Sequence, residues 1–93
     1  MLDIVKKRLR LKAASFDDDV TSLIQEARSD LEQSGILHEK AQSDDDPLIR
    51  RAVSFYCLAH FGKDNKDADR YLRCYESLRD KLCLVGEYNG RVE

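Results

Sequence analysis

Three cysteines and two histidines are the side chains of this sequence best suited to metal or nucleophile chemistry. Cys57 and His60 stand three apart, so on a helix they share a face. Cys74 and Cys83 would have to complete a four-ligand set. Structural zinc sites draw their ligands from closely spaced pairs such as C-x-x-C, and no such pair is present. Cys57 therefore reads as a small core hydrophobe and His60 as a residue near a helix end. The run Asp44-Asp45-Asp46 invites calcium, but it lacks the alternating ligands, the glycine and the distal glutamate of a calcium loop. Capping of the next helix accounts for it more simply. Covalent catalysis needs a nucleophile, a base and a group that orients the base. His38 falls in a polar connector, His60 has no obvious charged partner, and there is no glycine-rich phosphate loop. The expectation is a protein with no catalytic residues, no metal and no cofactor.

Two further constellations are made for binding. Lys6, Lys7, Arg8, Arg10 and Lys12 are opposed within residues 1–12 by Asp3 alone, a local excess of +4. The whole chain has a formal net charge of −2, so the remainder carries −6. Such a cluster can meet phosphates through sequence-independent electrostatics. It can equally be a solvated face that pairs with acidic groups of the same chain or of a neighbouring subunit. Near the other end, Leu82, Leu84, Val85 and Tyr88 straddle Gly86, outside the regular helix. They either fold back on the core or insert into a partner as anchors, and an exposed apolar segment at a chain end suits docking.

The elements that must position these groups read as helices. From Ala52 to Phe61 only Ser54 and His60 interrupt an apolar run, and a helix apolar all round has to be wrapped by its neighbours. Asp46-Pro47 opens that helix, with aspartate at the N-cap and proline at the first helical position. Gly62 stops it. Before it, Leu2, Val5 and Leu9 mark a short amphipathic helix over roughly residues 2–11. After a loop at 12–16, Asp17, Asp18 and Asp19 start a second helix, their carboxylates accepting from first-turn amides and suiting the positive end of the dipole. Val20, Leu23, Ile24, Ala27 and Leu31 form its apolar face, and Gly35 closes it. Residues 36–45 read as a polar connector and Lys63 to Lys66 as a tight polar turn. Asp67 opens the last long helix, with Ala68, Tyr71, Leu72, Tyr75, Leu78 and Leu82 on one side. Asp69 and Arg73 are placed to pair across one turn of it.

The pattern predicts an all-α fold: a small bundle of about four helices, with a central apolar helix and a loose C-terminal tail. Residues 1–93 form one domain, with 82–93 a flexible docking tail. A chain this short buries only roughly 60–65% of its unfolded surface, so partners matter to its stability. No apolar run approaches a membrane span. No hydrophobic signal core precedes a cleavage site, so the expectation is a cytoplasmic protein with reduced thiols.

The order of these pieces resembles the small head–tail connector, or adaptor, proteins of long-tailed bacteriophages and prophages. The likeness runs from Leu2 to about Asn89. It rests on Val5-Lys6 and Leu9-Arg10-Leu11, then Asp17-Asp18-Asp19-Val20 leading into Leu23-Ile24 and Ala27. Pro47-Leu48 follows, with Ala52-Val53 and Ala59-His60-Phe61. Last comes Tyr75-Glu76-x-Leu78-Arg79-x-x-Leu82, then Leu84, Gly86 and Tyr88. The resemblance implies a structural, non-enzymatic protein of the virion head–tail junction, present in the host cytoplasm during assembly. It implies a twelve-fold ring of copies under the portal protein that prolongs the channel, contacts its DNA without sequence specificity and receives the next head-completion or tail protein. Family members act in DNA packaging as retention and closure rather than as motors. Leu82, Leu84, Val85 and Tyr88 would then dock on the portal. Lys6, Lys7, Arg8, Arg10 and Lys12 would serve subunit or channel electrostatics. The competing reading is a small helical DNA-binding or regulatory domain that uses the basic N-terminal helix on phosphates. No helix has the mix of Arg, Asn and Gln expected of a recognition helix.

Overall fold

Asp46 and Pro47 begin the helix around which the rest packs. Asp46 Oδ1 accepts from the amides of Leu48 at 2.9 Å and Ile49 at 3.3 Å, and Pro47 needs no partner at the first position. The computed structural model describes residues 1–62 and 65–91, which form helices and no strand. In chain order these are α1 (Leu2–Leu9), a 3-10 turn (Ala14–Phe16), α2 (Asp17–Gln33), α3 (His38–Ala41), α4 (Pro47–His60), α5 (Ala68–Cys83) and α6 (Gly86–Asn89). Lys63 and Asp64 of the expected polar turn, and Val92 and Glu93 of the expected tail, lie outside the described residues. Among the described residues no helix is long and apolar enough to cross a membrane.

α4 is the hub, packed against α1, α2 and α5. It buries Ile49, Ala52, Val53, Cys57 and Ala59, and α2 meets it with Val20, Ile24, Ala27 and Leu31. Val5 from α1 and Tyr75 and Leu82 from α5 complete this core. Burying such a side chain is worth about 1.5–3 kcal/mol, against about 0–1 for a surface ion pair. The apolar stripes, not the many charges, therefore decide how the helices lie. Ser54 is the buried polar member of α4, and its hydroxyl donates to the Arg50 carbonyl one turn back at 2.7 Å.

The helix ends depart from expectation in an instructive way. No side chain caps the first-turn amides of α2: the 3-10 turn runs straight into it through Phe16. Asp17, Asp18 and Asp19 act there as charge at the positive end of the dipole rather than as capping acceptors. Asp67 likewise precedes α5 without a capping bond. Gly35 does close α2 as expected: at φ +113° it lets the Ile36 amide reach back to the Leu31 carbonyl at 3.0 Å. The connector at 36–45 is less polar than its composition implies, because it folds α3 and buries Ile36 and Ala41. The tail differs as well. From Leu82 to Gly90 it is folded, turning at Leu84 and Val85 into α6, which returns to the start of α4.

Candidate interaction surfaces

The groups with chemical potential are dispersed. Cys57 is fully buried, and burial pushes its thiol up to about 12, which keeps it protonated and unreactive. His60, on the same helix, is exposed and packs against Tyr56, the two rings tilted and their centroids 4.3 Å apart. Cys83 Sγ donates to the Ser34 carbonyl at 3.1 Å, and Cys74 faces solvent. Among the described residues no group of three or more His, Cys, Asp or Glu side chains is placed to hold a metal ion. Two of the three aspartates before α4, Asp44 and Asp46, have structural partners for their carboxylates. Asp44 pairs with Arg28, whose guanidinium holds its carboxyl below the usual range. The Asp45 amide donates to Ser43 Oγ, and Asp46 caps α4.

The four apolar residues expected to dock on a partner divide into two pairs. Leu82 is 2% exposed and Tyr88 7%, so both belong to the core, a correction to their expected docking role. The cause is a clasp between distant parts of the chain. The Tyr88 hydroxyl donates to the Asp46 carboxylate, 2.9 Å from Oδ2. Its carbonyl accepts from the Leu37 amide at 2.8 Å. Asn89 Nδ2 donates to the Cys83 carbonyl at 2.7 Å, bracing α6 against the end of α5. Gly90 fits because a Cβ there would lie 2.8 Å from Leu37 Cδ2, and its φ of +74° suits glycine. The remaining pair is presented outward by this clasp, Leu84 at 83% exposure and Val85 at 44%.

The basic helix also divides. Lys6 Nζ lies 2.6 Å from Asp17 Oδ1, so it ties α1 to the start of α2. Lys7, Arg8, Arg10 and Lys12 are exposed and form no ion pair among the described residues. Arg10 ends α1 in the left-handed conformation at φ 59°, and the Leu11 amide reaches the Lys6 carbonyl at 2.9 Å.

A second basic surface was not found from the sequence. Arg51 of α4 joins Arg70, Arg73 and Lys81 of α5 around an open groove of about 610 Å³, whose apolar residues include Phe55 and Leu78. Among the described residues no acidic side chain lines it. Asp69 does not pair with Arg73, and among the described residues Arg51, Arg73 and Lys81 have no ion-pair partner. Arg70 reaches Asp67 only at 3.6 Å. Along the chain these cations alternate with Asp69, Glu76 and Asp80, which hides them. Phasing α5 at 3.6 residues per turn would have separated the two signs onto adjacent strips. The flank of α2 has the opposite character, with Asp18, Asp19 and Glu26 exposed. Its outer side forms a shallow groove with Tyr56, lined by Glu26, Asp30 and small polar residues.

The charged and apolar character of these surfaces suits them to contact. Compared with known families, the chain matches the model described as "Phage connector protein" over residues 1–89. Neither the curated proteins nor the solved structures yield a match.

Proposed function

The chain belongs to the phage connector protein family, and from that premise we propose that it forms a ring under the portal of a phage head, extends the DNA channel and supports head completion and tail attachment. The family is structural rather than enzymatic, and its members work with other phage head and tail proteins. The observation that carries the reading is the family match across residues 1–89, which includes every helix of the fold. Three features of the molecule support the finer picture. A small core suits a protein stabilised by its partners. Charge is divided between surfaces, which suits head-to-tail contacts that close into a ring. Leu84 and Val85 form an exposed apolar corner held by the Tyr88 clasp, and this corner is the portal-docking element of the proposal.

In this assembly the copies number twelve, and the site is the virion head–tail junction. Lys7, Arg8, Arg10 and Lys12 meet channel DNA through its phosphates, without reading sequence. The same four exposed cations support the alternative of a small DNA-binding or regulatory domain.

The test is binding of purified chain to purified portal, followed by imaging of the complex. A ring of copies at the portal exit is expected, and Leu84→Ser with Val85→Ser should abolish docking while the helical signal stays intact. Deleting residues 82–93 is the wrong probe, because it removes Leu82 and Tyr88 from the core. Full-affinity portal binding by the double serine variant would remove the docking assignment. Absence of any portal complex, together with DNA binding that weakens steeply with salt, would favour the regulatory domain.

A further inference from the structure

The α4/α5 groove is built for an anionic partner with an apolar edge. Among the described residues, three of its cations, Arg51, Arg73 and Lys81, are without ion-pair partners and no carboxylate lines the groove. Like charges gathered without compensation repel one another and favour an incoming negative group. Phe55 and Leu78 add apolar surface, and the Phe55 ring is steadied by stacking on Tyr71 with centroids 6.4 Å apart. We propose that this groove is a subunit contact, and that its occupant is the start of α2 from a neighbouring copy: Phe16 with Asp18 and Asp19. The choice of a second copy as partner rests on the connector reading above.

The start of α2 matches the groove in both respects. Asp18 and Asp19 are exposed and have no ion-pair partner among the described residues. Phe16 projects beside them at 39% exposure, resting edge-on against Phe61 at 5.6 Å. A nucleic-acid backbone would satisfy the cations but leave the apolar part of the groove uncovered. An aromatic followed by two free-standing carboxylates satisfies both. The two surfaces share no residue, so one copy can use both at once. A contact between two different patches is heterologous, and repeated through a closing rotation it yields a ring.

Cys74 lines the groove and is exposed, which supplies a trap. In the full-length chain bound to portal, Asp19→Cys should form a ladder of covalent multimers under mild oxidation, and adding Cys74→Ser should abolish it. Cys57 is buried and Cys83 is engaged with Ser34, so neither competes well. Arg73→Glu with Lys81→Glu should weaken self-association about tenfold or more, and Asp18→Lys with Asp19→Lys in the same chain should restore it. Unchanged thermal melts show that each variant folds. If lysine-reactive cross-linking still joins copies while the ladder ignores Cys74 or the charge reversal has no effect, the groove assignment is wrong and the connector reading stands. If no reagent joins copies even on the portal, both fail together. If the charge reversal abolishes DNA retardation but leaves self-association intact, the groove is a phosphate site and the proposal is overturned.

Discussion

α1 and α6 are both short terminal helices that mix apolar and charged residues, yet they end in different situations. α1 sends Val5 into the core and leaves Lys7 and Arg8 in solvent, with Arg10 and Lys12 exposed just past its end. α6 is half its length and is held more specifically, through the Tyr88 hydroxyl on Asp46 and the Tyr88 carbonyl on the Leu37 amide. Asp46 accepts from Tyr88 while it also caps α4, so one carboxylate secures the start of the central helix and the end of the chain. The difference shows that a terminal segment is ordered by the partner its polar tip finds, not by its own length or helix propensity. It also shows why Leu84 and Val85 can be exposed without being loose: they form the bend between two anchored pieces.

This contrast can be broken at the clasp. Tyr88→Ala should have the largest effect, a loss of about 3 kcal/mol in urea denaturation, with amide exchange accelerating in residues 84–91 and remaining slow in α4. Equal acceleration in both regions would mean that the tail is part of one cooperative core rather than a separate clasp. Asp46→Ala should cost about 2 kcal/mol, combining a lost cap with an orphaned hydroxyl. Paired with Tyr88→Phe, the double variant should lose less than the sum of the two single variants. Strict additivity would show that the cap and the clasp are independent.

Alkaline pH should weaken the clasp without mutation. Burial, together with the hydrogen bond to Asp46, pushes the Tyr88 phenol up to about 12 from an ordinary 10. Burial and the Asp30 carboxylate push Tyr75 up in the same direction. Above pH 10 the unfolded chain releases phenolic protons that the folded chain retains, so stability declines as pH rises from 10 toward 12. Denaturation at several pH values should show that fall, and Tyr88→Phe should make it shallower. The smallest expected effect sharpens the comparison from the other side. Leu84→Ser with Val85→Ser should change stability by no more than about 0.5 kcal/mol, since neither side chain contributes to the core. A large loss would mean that the corner is structural rather than a contact surface.

Much of the fold could be read directly from residue pattern. The apolar run from Ala52 to Phe61, the Asp46-Pro47 start and the Gly35 stop act within one or two turns, where sequence neighbours are also spatial neighbours. Those features placed the central helix and its wrapping correctly. The surfaces were harder. Leu82, Leu84, Val85 and Tyr88 look alike on paper, but two of them are core and two are exposed. Lys6 looks like its neighbours, yet it alone among Lys6, Lys7, Arg8, Arg10 and Lys12 reaches Asp17. The groove cations are spread over two helices and interleaved with acids, so no local window displays them.

What the sequence determined by itself was the four longer helices, α1, α2, α4 and α5, and the faces they bury. Those depend on periodicity, caps and stops, which are local, and on apolar area, which outweighs surface charge in the packing. Only the tertiary structure decided which polar and apolar groups remain free to meet a partner. That outcome depends on pairings such as Tyr88 with Asp46, 42 residues apart, and on the way α4 and α5 set Arg51 beside Arg73 and Lys81. Such pairings arise when distant segments meet in space, and the spacing of residues along a chain does not encode that distance.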